Sequence, residues 1–221
     1  MKKEIICFDE RFKKIEDIID RHYDNGAFYE SLLVSVLDRG IPESYSPGCD
    51  RVIAASVGCG NFIRDNVVVE GLHLLRSEEK KEVYLVGMDC QEILYQRNDH
   101  DVELRGCAGN ALSTYPWLKG LHESGSDAGS YDYIQFINPD IPTCSDWGMI
   151  YERAADFLSP GGVIATVCHG TDSPYLVTLA NSLKERLDVG KVRKFAFESI
   201  LGDDDVWETR TFCFVSMEHK R

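Results

Sequence analysis

From residue 52 onward, short apolar runs alternate with stretches whose apolar positions recur every three or four residues. Val52-Ile53-Ala54-Ala55-Ser56-Val57 reads as a buried strand ended by Gly58, after which Ile63, Val67, Gly71, Leu74 and Leu75 fall at helical spacing. Val83-Tyr84-Leu85-Val86-Gly87-Met88 is a second strand, stopped at Asp89. A short helix over Gln91–Gln96 and a short strand, Val102-Glu103-Leu104, follow. Gly106 to Gly129 has no clear period, and its Gly/Ser-rich end, Ser124–Ser130, predicts loop. Tyr133–Ile137 is the fourth strand. Trp147, Ile150, Tyr151, Ala154, Phe157 and Leu158 then share a helix face, and Ser159-Pro160-Gly161-Gly162 predicts a sharp turn. Val163–Cys168 is the fifth strand. A helix starts at Ser173-Pro174, with the serine as N-cap and Leu176, Leu179, Leu183 and Leu187 on its core face. Two strands near Val192–Glu198 and Thr209–Met217 close the chain, joined through Asp203-Asp204-Asp205, an acidic run expected at a solvated hairpin tip.

Strands alternating with helices predict an α/β fold: a doubly wound, mostly parallel seven-stranded sheet covered on both faces. The last two strands have no helix between them and must pair antiparallel, as a C-terminal hairpin. Residues 51–221 make up this domain. Residues 1–50 stand apart as an N-terminal helical segment, with Phe8, Phe12, Ile15 and Ile19 on one helix and Phe28, Leu32, Leu33 and Val36 on a second. This segment is too short for a core of its own. It either caps the sheet or forms a lid over a substrate.

Composition narrows the function. With 43% hydrophobic and 28% charged residues, the 221-residue chain can bury a core and stay in solution. No apolar run nears the roughly 18 residues of a membrane span, and the N-terminus carries no secretory pattern, so a cytoplasmic address is expected. The eight cysteines form no CxxC pair and no close Cys/His cluster, which predicts free thiols and no metal. The formal net charge of −13 argues against a nucleic-acid partner, whose phosphates need a basic face. It favours a small-molecule substrate, or a basic peptide.

Ligands of open parallel sheets bind beyond the carboxyl ends of the strands, where strand order reverses. The first strand exits into Val57-Gly58-Cys59-Gly60-Asn61, a glycine turn that lets backbone approach a ligand at the start of a helix. Asp89, ending the second strand, is placed to accept hydrogen bonds from both ribose hydroxyls, although an Asp there can also cap the next helix. After the third strand comes Gly109-Asn110-Ala111-Leu112, where an amide can read an adenine edge.

Four motifs, each in its expected slot, make residues from about 50 to the C-terminus resemble the class I S-adenosylmethionine-dependent methyltransferases. Gly58-Cys59-Gly60-Asn61 resembles their glycine motif, and Val86-Gly87-Met88-Asp89 their strand-two acid. Tyr131-Asp132-Tyr133-Ile134-Gln135-Phe136 resembles the strand-four motif, and Leu158-Ser159-Pro160-Gly161-Gly162-Val163 the turn before strand five. The resemblance implies a Rossmann-like fold and S-adenosyl-L-methionine as cofactor. Its implied contacts are Val57, Gly58, Cys59, Gly60, Asn61, Asp89, Cys90, Asn110, Ala111 and Asn138. There are two departures: the family usually has an acid where Ser56 stands and a third glycine where Phe62 stands. They keep open a cofactor-binding or regulatory protein of the same fold without turnover. A nicotinamide site fits less well, since GxGxxG would need glycine where Ile63 stands.

The acceptor side should come from the exits of strands four and five, making Asn138, Asp140 and His169 the substrate-pocket candidates. Asn138-Pro139 partly resembles the (D/N)PP(Y/F) motif of enzymes that methylate planar amines, but Asp140 and Ile141 replace its last two residues. The same stretch faintly resembles transfer-RNA guanine-N7 methyltransferases, a reading the acidic charge weakens. His169 is either a general base or a loop histidine. Asp140 with Asp172 does not reproduce the ligand set of metal-dependent O-methyltransferases. A protein or RNA methyltransferase stays an alternative to the small-molecule enzyme, and no residue is assigned a catalytic role.

Overall fold

A computed structural model describes residues 3–6, 10–22, 28–45, 51–59, 63–76, 82–89, 98–99, 102–108, 111–125, 129–142, 146–201 and 206–220. The chain runs β1 (Lys3–Ile6), α1 (Glu10–His22), α2 (Phe28–Gly40), β2 (Arg51–Val57), α3 (Ile63–Arg76), β3 (Glu82–Asp89), β4 (Asn98–Asp99) and β5 (Val102–Ala108). It continues α4 (Thr114–Ser124), β6 (Tyr131–Ile137), α5 (Trp147–Asp156), β7 (Leu158–His169), a 3-10 turn (Gly170–Asp172), α6 (Ser173–Ser182), β8 (Leu187–Val189), β9 (Arg193–Leu201) and β10 (Val206–His219).

One sheet carries the order β1-β9-β10-β7-β6-β2-β3-β5-β4, with β8 also on β10. Its seven longer strands are those expected from the sequence. β5, β3, β2, β6 and β7 lie parallel, and β10 pairs antiparallel with both β7 and β9. Strand order reverses at β2, whose parallel neighbours are β3 on one side and β6 on the other.

Period-two alternation splits the sheet residues between two cores. Val52, Ala54, Leu85, Tyr133, Ala165, Phe195, Phe212 and Phe214 face α1, α2 and α3. Ile53, Ala55, Val86, Ile134, Phe136, Ile164 and Val215 face α4, α5 and α6. The two N-terminal helices bury Phe12, Ile15, Ile19, Leu32, Leu33 and Val36 in the first core. Their face is therefore continuous with the sheet's own. Asp132 locks the centre: its carboxylate accepts from the Ile53 backbone N–H at 2.9 Å and the Ser159 hydroxyl at 3.3 Å, tying β6 to β2 and to the turn before the long part of β7.

Several expectations are corrected. The region from Gly106 to Gly129 is not irregular: β5 runs on to Ala108, and α4 is a helix capped by Ser113 and by left-handed Gly125. Trp117 fixes it, stacked at 5.7 Å on Phe157, edge-on to Tyr131, and donating to the Ala111 carbonyl at 2.9 Å. Gly120 lets the helix approach the sheet, since a Cβ there would lie 2.6 Å from the Tyr131 hydroxyl. Leu158 belongs to β7, not to the preceding helix. Ser159–Gly162 forms an irregularity inside that strand, with Gly161 at φ +80°. Asp172, not Ser173, is the N-cap of α6, which ends at Ser182; Leu187 begins β8 instead of extending the helix. β1 was not foreseen: four residues in the nominally helical N-terminus pair with Lys194–Phe197 of β9. The helix expected over Gln91–Gln96 and the acidic run Asp203–Asp205 lie outside the described residues.

Among the described residues, no helix is long and apolar enough to cross a membrane. Among them also, no group of three or more His, Cys, Asp or Glu is placed to hold a metal ion, and Cys59, Cys168 and Cys213 are free thiols.

Candidate functional site

The carboxyl ends of β2, β3 and β6 meet at the reversal point. There the apolar run of β2 stops at Gly58, whose N–H donates to the Met88 carbonyl at 2.7 Å. Gly58 adopts φ +70°, which L side chains rarely accept, and a Cβ on it would come within 3.2 Å of Cη2 of Trp147. The turn thus brings bare backbone under an indole from α5. Cys59 follows, buried at 6% exposure, and Asp89 stands half-buried at the end of the neighbouring strand. Burial above all, then the charges of Asp65 and Asp89, pushes the Cys59 thiol far above its usual range.

Beneath the turn lies a buried polar cluster. Ser56 meets Asp65 Oδ1 at 2.5 Å, and Gln135 Nε2 donates to Ser56 Oγ and to the Asp65 carbonyl, each at 3.2 Å. The Tyr133 hydroxyl donates to Gln135 Oε1 at 3.4 Å. A glutamine in the middle of an apolar strand is a signal the sequence carried. Asp65 was not singled out, because an acid in the first turn of a helix is commonplace.

At the β6 exit, Asn138 takes a left-handed φ of +49°, and its N–H donates to the Val167 carbonyl at 2.7 Å. Its Nδ2 donates to the Tyr29 hydroxyl at 2.8 Å, while its buried Oδ1 has no partner. Tyr29 belongs to α2 and packs 6.1 Å from Phe212, on which the exposed His169 ring stacks at 6.0 Å. The N-terminal segment, the β6 exit and the β7 exit are thereby joined through Tyr29, Asn138, Phe212 and His169. Trp147 packs edge-on to Phe136, and its Nε1 is likewise buried without a partner.

The structure thus gathers Val57, Gly58, Cys59 and Asp89 at adjacent strand ends and brings Asn138 and His169 into one neighbourhood. Asp140 is exposed on the loop after β6. Ala111 is buried above α4. Gly60, Asn61, Cys90 and Asn110 lie outside the described residues, as does Phe62. Tyr29, Asp65, Trp147 and Phe212 enter the site from the structure alone.

Cys168 and Cys213 face each other across β7 and β10. Their mutual interaction draws the Cys213 thiol below its ordinary value and, together with burial, drives Cys168 up. Elsewhere burial dominates, holding the Tyr133 and Tyr151 phenols, like the Cys59 thiol, well above their ordinary values. These three groups are neutral when protonated. Above pH ~9–10 the unfolded chain releases their protons while the folded chain keeps them. Their contribution is complete below that range and is lost as pH rises toward the folded-state values, at about 1.4 kcal/mol per group per pH unit. The melting temperature is therefore expected to fall continuously from pH 9 to 11, measured by circular dichroism. A flat profile would mean these groups titrate freely in the fold.

No protein-family model matches the sequence, and no curated protein matches it. Solved structures do. An Anabaena variabilis protein described as a SAM-dependent methyltransferase superposes with a TM-score of 0.52 at 11% identity, over 100% of this chain and 98% of its own. A Thermoplasma acidophilum protein gives 0.52 at 11% identity, over 96% and 98%. The precorrin-6y C5,15-methyltransferase of Geobacter metallireducens gives 0.50 at 10% identity, over 89% of each chain. At such identities the likeness is one of fold.

Proposed function

We propose that this chain, which has the fold of the class I S-adenosylmethionine-dependent methyltransferases, binds S-adenosylmethionine where β2, β3 and β6 meet and transfers its methyl group to a small-molecule acceptor. The observation that carries this reading is Gly58: a left-handed residue beneath Trp147, hydrogen-bonded to the strand that ends in Asp89. The left-handed turn leaves the β2 exit without a side chain, and the next strand ends in an acid.

The residues present suit the cofactor. Asp89 would accept the two ribose hydroxyls, and Val57, Gly58 and Cys59 would line its amino-acid end, as the resemblance also implies for Gly60 and Asn61. Ala111 would border the adenine, as the resemblance also implies for Cys90 and Asn110. When bound, the cofactor supplies a sulfonium-activated methyl group, so the protein's work is alignment of the acceptor and exclusion of water. Asn138 serves the acceptor side: Tyr29 holds its amide, and its unpartnered Oδ1 is left to accept a hydrogen bond from an amine or hydroxyl. Helix α2 walls this side through Tyr29. His169 lies within the same aromatic cluster as a base for acceptors that must lose a proton, and Asp140 is exposed on the loop that follows Asn138. The net charge of −13 favours a neutral or cationic acceptor, a basic peptide included, over a polyanion.

Calorimetric titration tests the reading. The expected result is micromolar binding of S-adenosylmethionine and S-adenosylhomocysteine but not of NAD, weakened about tenfold to a hundredfold in Asp89→Ala through loss of charge-assisted hydrogen bonds. Wild type binding none of them would reject it. The second reading, a cofactor-binding protein without turnover, is favoured by serine at position 56; saturable binding with no methyl transfer across an acceptor screen would select it.

A further inference from the structure

Cys168 and Cys213 are register partners on adjacent antiparallel strands, β7 and β10, and both lie in the second core. Such partners stand about 4.5–5.5 Å apart at Cα, with their side chains on one face of the sheet. That separation falls within the roughly 4.4–6.8 Å a disulfide spans, so the two sulfurs can bond without unpairing the strands. Both are free and fully buried, yet the cover is thin on one side. Cys213 Sγ donates to the Gly170 carbonyl at 3.7 Å, in the short 3-10 turn whose Thr171 is exposed.

The two thiols are unequal. On its other side Cys213 has Lys194 of β9 as register partner. Cys168 above all, then the Ser173 hydroxyl and the Lys194 ammonium, draws the Cys213 thiol down against burial and the charge of Asp172. Cys168 is driven up, by Cys213 first and by burial second. Cys213 is therefore the thiolate-bearing nucleophile and Cys168 the thiol that resolves it. Cys59, also a free thiol, is by contrast held protonated by burial and two carboxylates.

We propose that Cys168 and Cys213 form a redox modification site, a dithiol that small hydroperoxides convert to a cross-strand disulfide and that external thiols regenerate. With hydrogen peroxide, the Cys213 thiolate attacks one oxygen and the O–O bond breaks, leaving a sulfenic acid and hydroxide. The Cys168 sulfur then attacks the sulfenic sulfur. The S–S bond forms, the S–O bond breaks, and the Cys168 proton leaves with the hydroxyl as water. The protein gives up two electrons and two protons, and the peroxide becomes two waters. The new bond lies one register step from the stacked Phe212–His169 pair, so oxidation is felt first at the β7 exit. The pair's chemistry does not depend on which ligand the strand ends bind.

A thiol map of the full chain tests the site. The folded protein is exposed to hydrogen peroxide, acid-quenched, unfolded, alkylated and digested, and its peptides are weighed. The expected result is a linked Cys168–Cys213 peptide, two hydrogens lighter than the reduced pair and abolished by dithiothreitol, with Cys59 still alkylated. Cys168→Ser should trap Cys213 as a sulfenic acid that dimedone labels, whereas Cys213→Ser should leave Cys168 unlabelled. Should either variant fail to fold, the wild-type map alone decides. Recovery of both cysteines as alkylated thiols after about a hundredfold molar excess of peroxide would overturn the proposal. So would a link from either one to a different cysteine. Dimedone on Cys168 in Cys213→Ser would overturn the role of Cys213 as nucleophile.

Discussion

Replacing Arg76 with alanine is expected to lower the free energy of unfolding by about 3–5 kcal/mol, the cost of stranding a buried charge. Arg76 lies in the last turn of α3 and reaches the end of α2, where helix carbonyls have no partner of their own. Its Nε donates to Asp38 Oδ1 at 3.0 Å. Nη2 donates to the Asp38 and Ile41 carbonyls at 2.6 and 2.9 Å, and Nη1 to the Pro42 carbonyl at 3.0 Å. The Asp38 side chain is only 2% exposed, and its other cation, Arg11 at 2.5 Å, is 59% exposed and correspondingly screened. Lysine cannot reproduce a planar fork that serves four acceptors, so Arg76→Lys should recover less than half of the loss. Urea denaturation with an unchanged slope checks both variants. A loss under ~1 kcal/mol would mean that Arg11 alone satisfies Asp38.

Gly58→Val should abolish most cofactor binding while leaving the fold intact. A β-branched residue at φ +70° carries strain of about 1–3 kcal/mol, and its Cβ would press on the Trp147 ring at 3.2 Å. Either the turn changes conformation or the indole moves, and both alter the β2 exit. Affinity for S-adenosylmethionine is expected to fall at least a hundredfold, about 2.7 kcal/mol, with a melting temperature only a few degrees lower. Gly58→Ala should fall between wild type and Gly58→Val. Wild-type affinity in Gly58→Val would place the ligand elsewhere.

The sequence by itself determined what depends on local period and local turn chemistry. The runs at Val52–Val57, Val83–Met88 and Tyr133–Ile137 are apolar because both sheet faces are covered. Gly58 and Asp89 stand out because they end such runs, and the absence of a helix between the last two strands sufficed to make them a hairpin. The tertiary structure alone decided whatever depends on distant partners. Lys3–Ile6 is a strand only because β9, about 190 residues later, offers an unpaired edge. Leu187 keeps helical spacing yet joins β8, because β10 supplies hydrogen bonds to its backbone segment. Pro116 and Gly120 blur the period of α4, which stands on the burial of Trp117 between Tyr131 and Phe157. The site divides the same way. Its glycine and its strand-end acid announce themselves, whereas Tyr29 meets Asn138 across 109 positions and Asp65 meets Gln135 across 70. A contact between chain segments so far apart leaves no periodic trace in either, because each is polar or aromatic for a reason supplied by the other.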